Sequence, residues 1–294
     1  MIFKNFLNIK NKKKIKKDFF NLLKNQPKLF ETLKPTYKYS YSKKKISKYK
    51  KLSNIRVIGM GGSILGTEAI YEFLKKKIKK KLTFVNNLNS NANYFQDKNI
   101  NLNLIISKSG NTLETISNAN ILIKDREKNI IITEKKNSYL TNLSKKLNAE
   151  VFEHKNYIGG RYSVLSEVGM LPSELMNLNE NKFKQFNNLI KNKSFVNNLV
   201  NNVAVTLSLM KSGKYNSIIL NYDEQSESLF KWYQQLIAES LGKKSKGILP
   251  IVSSMPKDNH SLMQLYLDGP KKSFYTFFNT LENNVVKIKN NKIL

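Results

Sequence analysis

From residue 54 onward, short runs of β-branched and aliphatic residues alternate with helical segments, and this alternation constrains the fold most. The first run, NIRVIGM, leads into glycines, and a helix is predicted to follow through AIYEFLKKKIKK. The strand segments LTFVNN, NLNLIIS, NIIITE and VFEH come next, with helices predicted over residues 112–124 and 138–148. Such alternation predicts an α/β fold with a parallel sheet sandwiched by helices. Its ligands should bind at the carboxyl ends of the strands.

A second unit of the same kind is predicted beyond an asparagine-rich, polar crossover at residues 171–193. There SIILNY and ILPIVSS are typical of buried strands, and the stretch 227–241 between them is predicted to be helical. A chain of 294 residues is long enough for two units with separate cores. We therefore predict a polar helical arm, a first domain and a second domain, at residues 1–50, 51–175 and 176–294.

The net charge of +30 would suit a polyanionic partner, but the distribution of basic residues argues against one. Only three of the 51 basic residues are arginines, Arg56, Arg126 and Arg161, and the lysines are spread over the whole chain. Nucleic-acid binders use arginine for bidentate contacts. We expect no nucleic-acid partner, and the run Lys12–Lys17 is predicted to be the solvated face of a helix.

Cysteine content and hydropathy restrict the class of protein further. The chain has no cysteine, which excludes disulfides and thiolate chemistry and agrees with a cytoplasmic location. No apolar run approaches the roughly 20 residues that span a bilayer, so no membrane partner is expected. The sequence also contains no pattern typical of a metal site, and we predict none.

A glycine-rich turn, GMGGSILG, directly follows the first predicted strand. Glycines let the backbone approach a ligand closely, although a tight turn in any α/β fold would look the same. Ile64 occupies the third glycine position of the dinucleotide fingerprint. The second strand ends in Asn86 and Asn87 and offers no carboxylate for a ribose. A nicotinamide or flavin site is therefore disfavoured, and no cofactor is predicted.

A hydroxyl-rich loop, SKSGNT, lies between the strand NLNLIIS and the helix that follows it. Ser107, Ser109 and Thr112 together with backbone N–H groups at a helix N-terminus would form a cradle for an anion. An ordinary helix-capping turn has the same composition. Because the loop follows a strand end, as the glycine turn does, we favour a phosphate site.

Four further side chains could take part in catalysis. Arg161 follows a glycine pair and could stabilise developing negative charge, although a structural salt bridge is equally compatible. Gln235 and Glu239 are four residues apart on one helix face, and solvent exposure is the alternative for Glu239. His260 lies in a polar turn where proton transfer is plausible, whereas His154 ends a strand and is predicted to be structural.

The segments GMGGSILG, SKSGNTLET, GGRYSVLSEVGMLP, QQLIAESLGK and DNHSLMQLYLDGP, in this order, resemble the phosphoglucose isomerase family. The resemblance extends from about Gly59 to Phe278. It implies two sugar-isomerase (SIS) domains and a reaction that interconverts glucose 6-phosphate and fructose 6-phosphate through an enediol or enediolate. It also implies a homodimer.

The resemblance assigns a role to individual residues. Glu239 matches the base that moves a proton between C1 and C2, Arg161 the cation that stabilises the enediolate, and His260 the ring-opening histidine, which reaches the partner subunit's site. Aldose–ketose isomerisation needs these three groups and no metal. The substrate-binding residues implied are Gly62 and Ser63 of the glycine turn, Ser107, Lys108 (through its backbone), Ser109 and Thr112 of the phosphate loop, and Gln235.

One departure from the family concerns the end of the chain. Family members continue beyond the DGP segment with a helix whose lysine assists ring opening, whereas this chain ends in KIKNNKIL. We therefore expect an incomplete second domain and a chain that binds fructose 6-phosphate but isomerises it poorly or not at all. The alternative function is a non-catalytic SIS protein that binds sugar phosphates and needs neither Glu239 nor Arg161. A nucleic-acid binder would need a clustered basic face with interleaved aromatics, which is not seen outside the N-terminal arm.

Overall fold

Eight strands in two parallel sheets organise the structure, a computed structural model that describes residues 12–88 and 99–280. The strands of these residues are β1 (Asn54–Gly59), β2 (Lys81–Val85), β3 (Leu102–Ile106), β4 (Lys128–Thr133), β5 (Glu150–Glu153), β6 (Asn216–Asn221), β7 (Leu249–Ser254) and β8 (Ser273–Phe278). The first sheet has the order β2-β1-β3-β4-β5 and the second the order β7-β6-β8. Every strand pair is parallel, which confirms the predicted α/β class with two parallel sheets.

The helices flank these sheets, and two 3₁₀ helices carry the loops of interest, at Gly61–Ser63 and Gly160–Leu165. The α-helices are α1 (Lys12–Asn25), α2 (Lys43–Ile46), α3 (Leu65–Leu74), α4 (Leu113–Leu122), α5 (Tyr139–Lys146), α6 (Glu167–Leu175), α7 (Phe186–Lys191), α8 (Lys193–Lys211), α9 (Glu227–Leu241), α10 (Asp258–Ser261) and α11 (Met263–Asp268). Within the two described stretches, none of the helices combines the length and the apolar character needed to cross a bilayer.

The central strand β3 shows how the first sheet is buried on both faces. Leu104 points into a large core formed with α3, α6 and the segment before β1, while Ile105 points into a second core formed with α4 and α5. Each residue of β3 is buried. Apart from Asn103 these residues are aliphatic, as expected for a parallel strand that is covered on both faces. In register, Gly59 at the end of β1 pairs with Ile106 at the end of β3, so the loops that follow emerge side by side.

The segment before β1 contributes to the first core. Tyr41, Ile46 and Tyr49 are buried against strands of the first sheet. Farther upstream, the lysines of the Lys12–Lys17 run are exposed on α1, as predicted for a solvated helix face. The division at residues 50 and 175 stays a prediction, with the addition that residues 41–49 share the core of the first unit.

Helix α6 lies where the sequence analysis placed the start of a polar crossover, and that part of the prediction was wrong. The helix runs through Pro172 and is buried along its whole length. Proline lacks the N–H that would bond the carbonyl four residues earlier, at Val168. Thr67, a residue of α3, donates its hydroxyl to that carbonyl at 3.0 Å and is itself buried. A long-range bond therefore satisfies the group that the proline leaves free.

Several elements of the second unit were not predicted, namely the helices α7, α8, α10 and α11 and the strand β8. Strand β8 lies at an edge of its sheet, and its side chains are half-buried or exposed, including Phe277 at 71%. It therefore lacks the buried aliphatic run that marks β6. Helix α9 begins and ends where the sequence analysis predicted and contacts both α3 and β7. It brings residues of the second unit to the 3₁₀ helices at Gly61–Ser63 and Gly160–Leu165.

Arg56 shows that a rare arginine in this chain can be purely structural. Its side chain is completely buried and donates from Nη1 to the Leu122 carbonyl at 2.8 Å and to Asn103 Oδ1 at 3.2 Å. Glu127 lies 3.4 Å from the same nitrogen and balances the charge. A buried charge is tolerated only when it is paired and hydrogen-bonded in this way.

His154 is buried at the end of β5, with 2% of its surface exposed. Its Nδ1 lies 3.2 Å from the Lys155 carbonyl oxygen, and its Nε2 has no partner in the part of the chain that the structure describes. Burial is the largest influence on the imidazole and lowers its pKa below the ordinary value of 6.5. The positive charge of Lys108 also lowers the pKa, while the bond to the Lys155 carbonyl raises it.

This shift makes the stability depend on pH. The unfolded chain binds a proton at His154 near the ordinary pKa of 6.5, whereas the folded chain resists it until a lower pH. The free energy of unfolding should therefore fall as the pH drops below that value. Between about pH 7.5 and about pH 5.5, we expect the parent chain to lose about 1 kcal/mol more than His154→Asn. Urea unfolding at both pH values measures this difference, and parallel pH slopes for the two proteins would contradict it.

Candidate active site

The glycine turn after β1 packs directly against the loop that carries Arg161. A Cβ on Gly62 would lie 2.2 Å from the carbonyl carbon of Gly160 and 2.5 Å from the Arg161 nitrogen. Only a residue without a side chain permits this approach. The Ser163 hydroxyl lies 2.7 Å from the Gly160 carbonyl oxygen and 3.1 Å from that of Gly62, so it bridges the two loops. Ser63 is buried at the end of the turn.

Arg161 and Glu239 form an ion pair across the two units. Arg161 Nη1 lies 2.9 Å from Glu239 Oε1, although the two residues are 78 positions apart in the chain. The Arg161 side chain is 16% exposed and that of Glu239 is 51% exposed. The Arg161 carbonyl accepts a hydrogen bond of 3.1 Å from Trp232 Nε1, which anchors its main chain to α9. A carboxylate and a guanidinium thus meet at an accessible position beside the glycine turn.

Gln235 lies one helical turn before Glu239 and faces the same turn of glycines. Its Nε2 is 2.9 Å from the point that a Cβ on Gly61 would occupy, and Gly61 has a φ of +50°. A side chain there would be strained and would collide with the amide. The Oε1 of Gln235 is buried and has no hydrogen-bond partner in residues 12–88 and 99–280. This oxygen is able to accept a bond from a ligand.

The loop after β3 places its three hydroxyls close together. Ser107 Oγ lies 2.8 Å from Thr112 Oγ1 and 3.5 Å from Ser109 Oγ. The N–H of Gly110 bonds to Ser107 Oγ at 3.2 Å, and Gly110 has a φ of +70°. Thr112 is the N-cap residue of α4, and no side chain caps the helix. The hydroxyl groups and the first N–H groups of α4 therefore offer donors to one anion.

The side chain of Lys108 is engaged elsewhere. Its Nζ donates to the Asn156 carbonyl at 2.8 Å and lies 3.7 Å from Glu134 Oε1. These contacts occupy the ammonium, and the role that the resemblance implies for Lys108, through its backbone, stays a prediction. Of the predicted residues, the structure thus brings Gly62, Arg161, Gln235 and Glu239 into one cluster, and the Ser107–Thr112 loop emerges from the neighbouring strand.

His260 is not joined to this cluster. It is exposed on the short helix α10, and in the two described stretches its ring takes part in no hydrogen bond or ion pair. The turn that carries it is held by Asp258, which accepts bonds of 2.8 Å from Ser253 Oγ and from the Ser254 N–H. These hydrogen bonds, with the one from Ser253 the strongest influence, keep the pKa of Asp258 below its ordinary value.

Ser240 and Tyr162 complete the surroundings of Arg161, and the sequence analysis did not select either. Arg161 Nε donates to Ser240 Oγ at 2.8 Å, and the Tyr162 hydroxyl lies 2.8 Å from the same oxygen. The guanidinium carbon is 4.4 Å from the centre of the Tyr162 ring. Burial would raise the pKa of Tyr162, but the bonds from Ser240 and Arg161 outweigh it and lower the pKa. The sequence indicates these two residues only by their position, because Tyr162 directly follows Arg161 and Ser240 directly follows Glu239.

Comparison with known proteins gives a consistent result. The sequence model of the family described as phosphoglucose isomerase matches residues 7–253, a range that includes every predicted site residue except His260. Glucose-6-phosphate isomerase of Methanocaldococcus jannaschii is 38% identical over 251 residues, which cover 79% of this chain and 62% of that protein. The enzyme of the same name from Acholeplasma laidlawii is 34% identical over 270 residues, which cover 82% of this chain and 62% of the relative. The chain therefore spans less than two thirds of the length of these relatives.

Solved structures with the same fold are more distant in sequence. A hypothetical protein of Thermus thermophilus superimposes with a TM-score of 0.72 at 20% identity, covering 95% of this chain and 74% of that one. Glucose-6-phosphate isomerase of Chlamydia trachomatis gives a TM-score of 0.60 at 22% identity, covering 80% of this chain and 51% of that one. At these identities the comparison establishes a shared sugar-isomerase fold.

Proposed function

Because the chain belongs to the phosphoglucose isomerase family, we propose that it interconverts glucose 6-phosphate and fructose 6-phosphate through an enediolate. The observation that carries this proposal is the 2.9 Å pairing of Glu239 with Arg161 beside the glycine turn. We further propose that the protein acts in glycolysis and gluconeogenesis, in the cytoplasm and as a homodimer. The division into an arm and two SIS domains at residues 50 and 175 belongs to the same proposal.

Each residue of the cluster has a step to perform. The loop from Ser107 to Thr112 holds the phosphate, which fixes the sugar along the edge of the first sheet. Glu239 removes the proton from C2 of the open-chain aldose and returns it to C1, as a general base and then a general acid. Arg161 stabilises the negative oxygen of the enediolate. The Oε1 of Gln235, which has no partner among the described residues, accepts a hydrogen bond from a substrate hydroxyl.

The Arg161–Glu239 ion pair describes the resting state of this site. The pairing uses Glu239 Oε1, and we propose that it opens when substrate binds, so that the carboxylate turns toward the carbon-bound proton and Arg161 toward the substrate oxygen. The exposed position of Glu239 allows this movement, because half of its side chain is in contact with solvent. After the proton is removed, Arg161 faces an anion again, now the enediolate oxygen.

A coupled assay tests the proposal directly. Fructose 6-phosphate is supplied, and glucose 6-phosphate is detected through its oxidation by an NADP-dependent dehydrogenase. Product formation that depends on Glu239 supports an isomerase. Binding of fructose 6-phosphate in calorimetry without turnover would support the alternative, a non-catalytic sugar-phosphate-binding SIS protein.

The phosphate loop gives a second prediction. Replacing Ser109 and Thr112 together by alanine should weaken the binding of fructose 6-phosphate by about 1–3 kcal/mol, because charge-assisted hydrogen bonds are lost. Isothermal calorimetry measures the change, and Ser208→Ala on the exposed side of α8 is the matched control. Thermal unfolding shows whether the double variant is folded. If the double variant binds fructose 6-phosphate as tightly as the parent, this loop is not the phosphate site.

The homodimer and the role of His260 are tested together by mixing variants. If His260 opens the ring in the partner subunit's site, Glu239→Gln and His260→Ala each inactivate the homodimer by a different loss. A mixed dimer has one site with both groups intact, so equal mixing should restore about a quarter of the parental activity. The activity of each variant alone is the baseline. A mixture that stays at the baseline, although pull-down through a tag on one variant shows mixed dimers, would mean that His260 does not act across the subunits.

A further inference from the structure

Arg161 is held on two edges of its guanidinium, by groups of different kinds. The Nη1 edge is paired with the Glu239 carboxylate at 2.9 Å, and the Nε edge donates to the Ser240 hydroxyl at 2.8 Å. Both partners are neighbours in the last turn of α9, which ends at Leu241. A cation at the C-terminal end of a helix also interacts favourably with the helix dipole. The end of α9 thus supports Arg161 at two points, through the Glu239 carboxylate and through the Ser240 hydroxyl.

The hydrogen-bonding capacity of these groups fixes how the second support works. A guanidinium only donates, so Ser240 Oγ accepts from Arg161 with one of its lone pairs. The Tyr162 hydroxyl lies 2.8 Å from the same oxygen and shares a proton with it in either direction. The ring of Tyr162 also lies under the guanidinium, with 4.4 Å between the guanidinium carbon and the ring centre. Tyr162 therefore restrains Arg161 through its ring face and restrains Ser240 through its hydroxyl group.

The two supports differ in what the reaction demands of them. Under the proposed function, Glu239 leaves Arg161 in order to take the substrate proton, and the Nη1 edge then loses its partner. Ser240 and Tyr162 carry no charge that has to move and can keep their contacts throughout. We propose that the Ser240–Tyr162 hydroxyl pair is a positioning unit, which keeps Arg161 aligned with the enediolate while Glu239 is engaged with the substrate. This inference rests on the proposed function for its purpose and on the Arg161 contacts for its geometry.

The scarcity of arginine allows a test that needs no ligand and no turnover. Selective ¹⁵N labelling of arginine gives only three Nε–H signals, from Arg56, Arg126 and Arg161. In Glu239→Ala the ion pair is absent, and we expect the Arg161 Nε–H to remain protected from exchange with solvent. Adding Ser240→Ala should speed its exchange by about tenfold or more, as expected for a lost hydrogen bond to a charged group. The buried Arg56 signal serves as an internal reference for folding.

The outcomes of this experiment are separable. If Glu239→Ala alone releases the Arg161 Nε–H, the ion pair is the only support and the proposal is wrong. If the double variant stays protected, Ser240 is not the support and the proposal is also wrong. Ser240→Thr, which keeps the hydroxyl, should behave as the parent, and Tyr162→Phe should give an intermediate rate. None of these results depends on catalysis, so a parent chain without isomerase activity would contradict the proposed function alone.

A second measurement tests the positioning of charge in the site. A five-carbon aldonate 5-phosphate carries a carboxylate where the enediolate would form, and the corresponding alditol phosphate lacks that charge. Ser240→Ala should lower the affinity for the aldonate phosphate by about tenfold and change that for the alditol phosphate by less than about twofold. Calorimetry with both compounds gives the ratio. An equal loss for both would indicate a general structural defect and would overturn the positioning role.

Discussion

Replacing Glu239 by glutamine should lower the turnover of fructose 6-phosphate by about 10²–10⁴, because the amide cannot accept the substrate proton. The amide keeps the size of the side chain and its place on α9. Binding through the phosphate loop should therefore be nearly unchanged. The coupled assay measures turnover, and the exchange of the C2 proton with deuterated solvent, followed by NMR, should disappear in parallel.

A matched control for this substitution lies on the same helix. Glu227→Gln removes a carboxylate from the first turn of α9, where Glu227 forms an ion pair of 3.0 Å with Lys231 and is 43% exposed. It changes the charge of α9 by the same amount at a distance from Arg161, and its turnover should equal that of the parent. If Glu239→Gln exchanges the C2 proton at the parental rate, another group is the base.

Replacing Arg161 by lysine should lower turnover by about 10²–10³, the usual effect of losing a preorganised donor to a developing oxyanion. Lysine keeps the positive charge but not the planar fork. It therefore cannot hold Ser240 through one edge and face Glu239 through another, as Arg161 does. The Michaelis constant should change less than the turnover number, because the lost interaction is strongest in the transition state.

Arg126→Lys provides the comparison, since Arg126 is exposed in the turn before β4 and lies outside the cluster. Its turnover should equal that of the parent. The fluorescence of Trp232, the one tryptophan of the chain, reports on the Arg161 loop through the bond between its Nε1 and the Arg161 carbonyl. An Arg161→Lys variant with parental turnover would show that the charge alone is sufficient and that the guanidinium geometry is not required.

The sequence alone determined the class of fold and the position of the loops. Strands such as β3 are mostly aliphatic, because they are covered on both faces, and glycine or serine stands at or just after their ends. These signals are local, so they could be recognised without the tertiary structure. The same holds for α9, whose bounds were predicted correctly and whose period places Gln235 and Glu239 on one face.

Sequence patterns gave a wrong prediction where a contact with a distant residue, or the position of a strand in its sheet, overrode the local preference. The sequence pattern predicts a polar crossover from residue 171, yet α6 runs through Pro172, where Thr67 satisfies the carbonyl of Val168. The two residues of that bond are 101 positions apart. Strand β8 was not predicted because it lies at an edge of its sheet. Its side chains are half-buried or exposed there, so it lacks the run of buried aliphatic residues that marks a central strand.

The candidate site likewise has a part that the sequence predicted and a part that only the tertiary structure decided. The sequence supplied Arg161 and Glu239 as separate residues, each with a structural alternative that spacing could not exclude. Only the tertiary structure pairs them at 2.9 Å, because the contact of α9 with α3 brings the second unit to the glycine turn of the first. The support from Ser240 and Tyr162 was likewise decided by the fold, since a hydroxyl gains this role only from the guanidinium that packing places 2.8 Å away. Chain composition fixes which groups are available, and the free energy of packing fixes which of them meet.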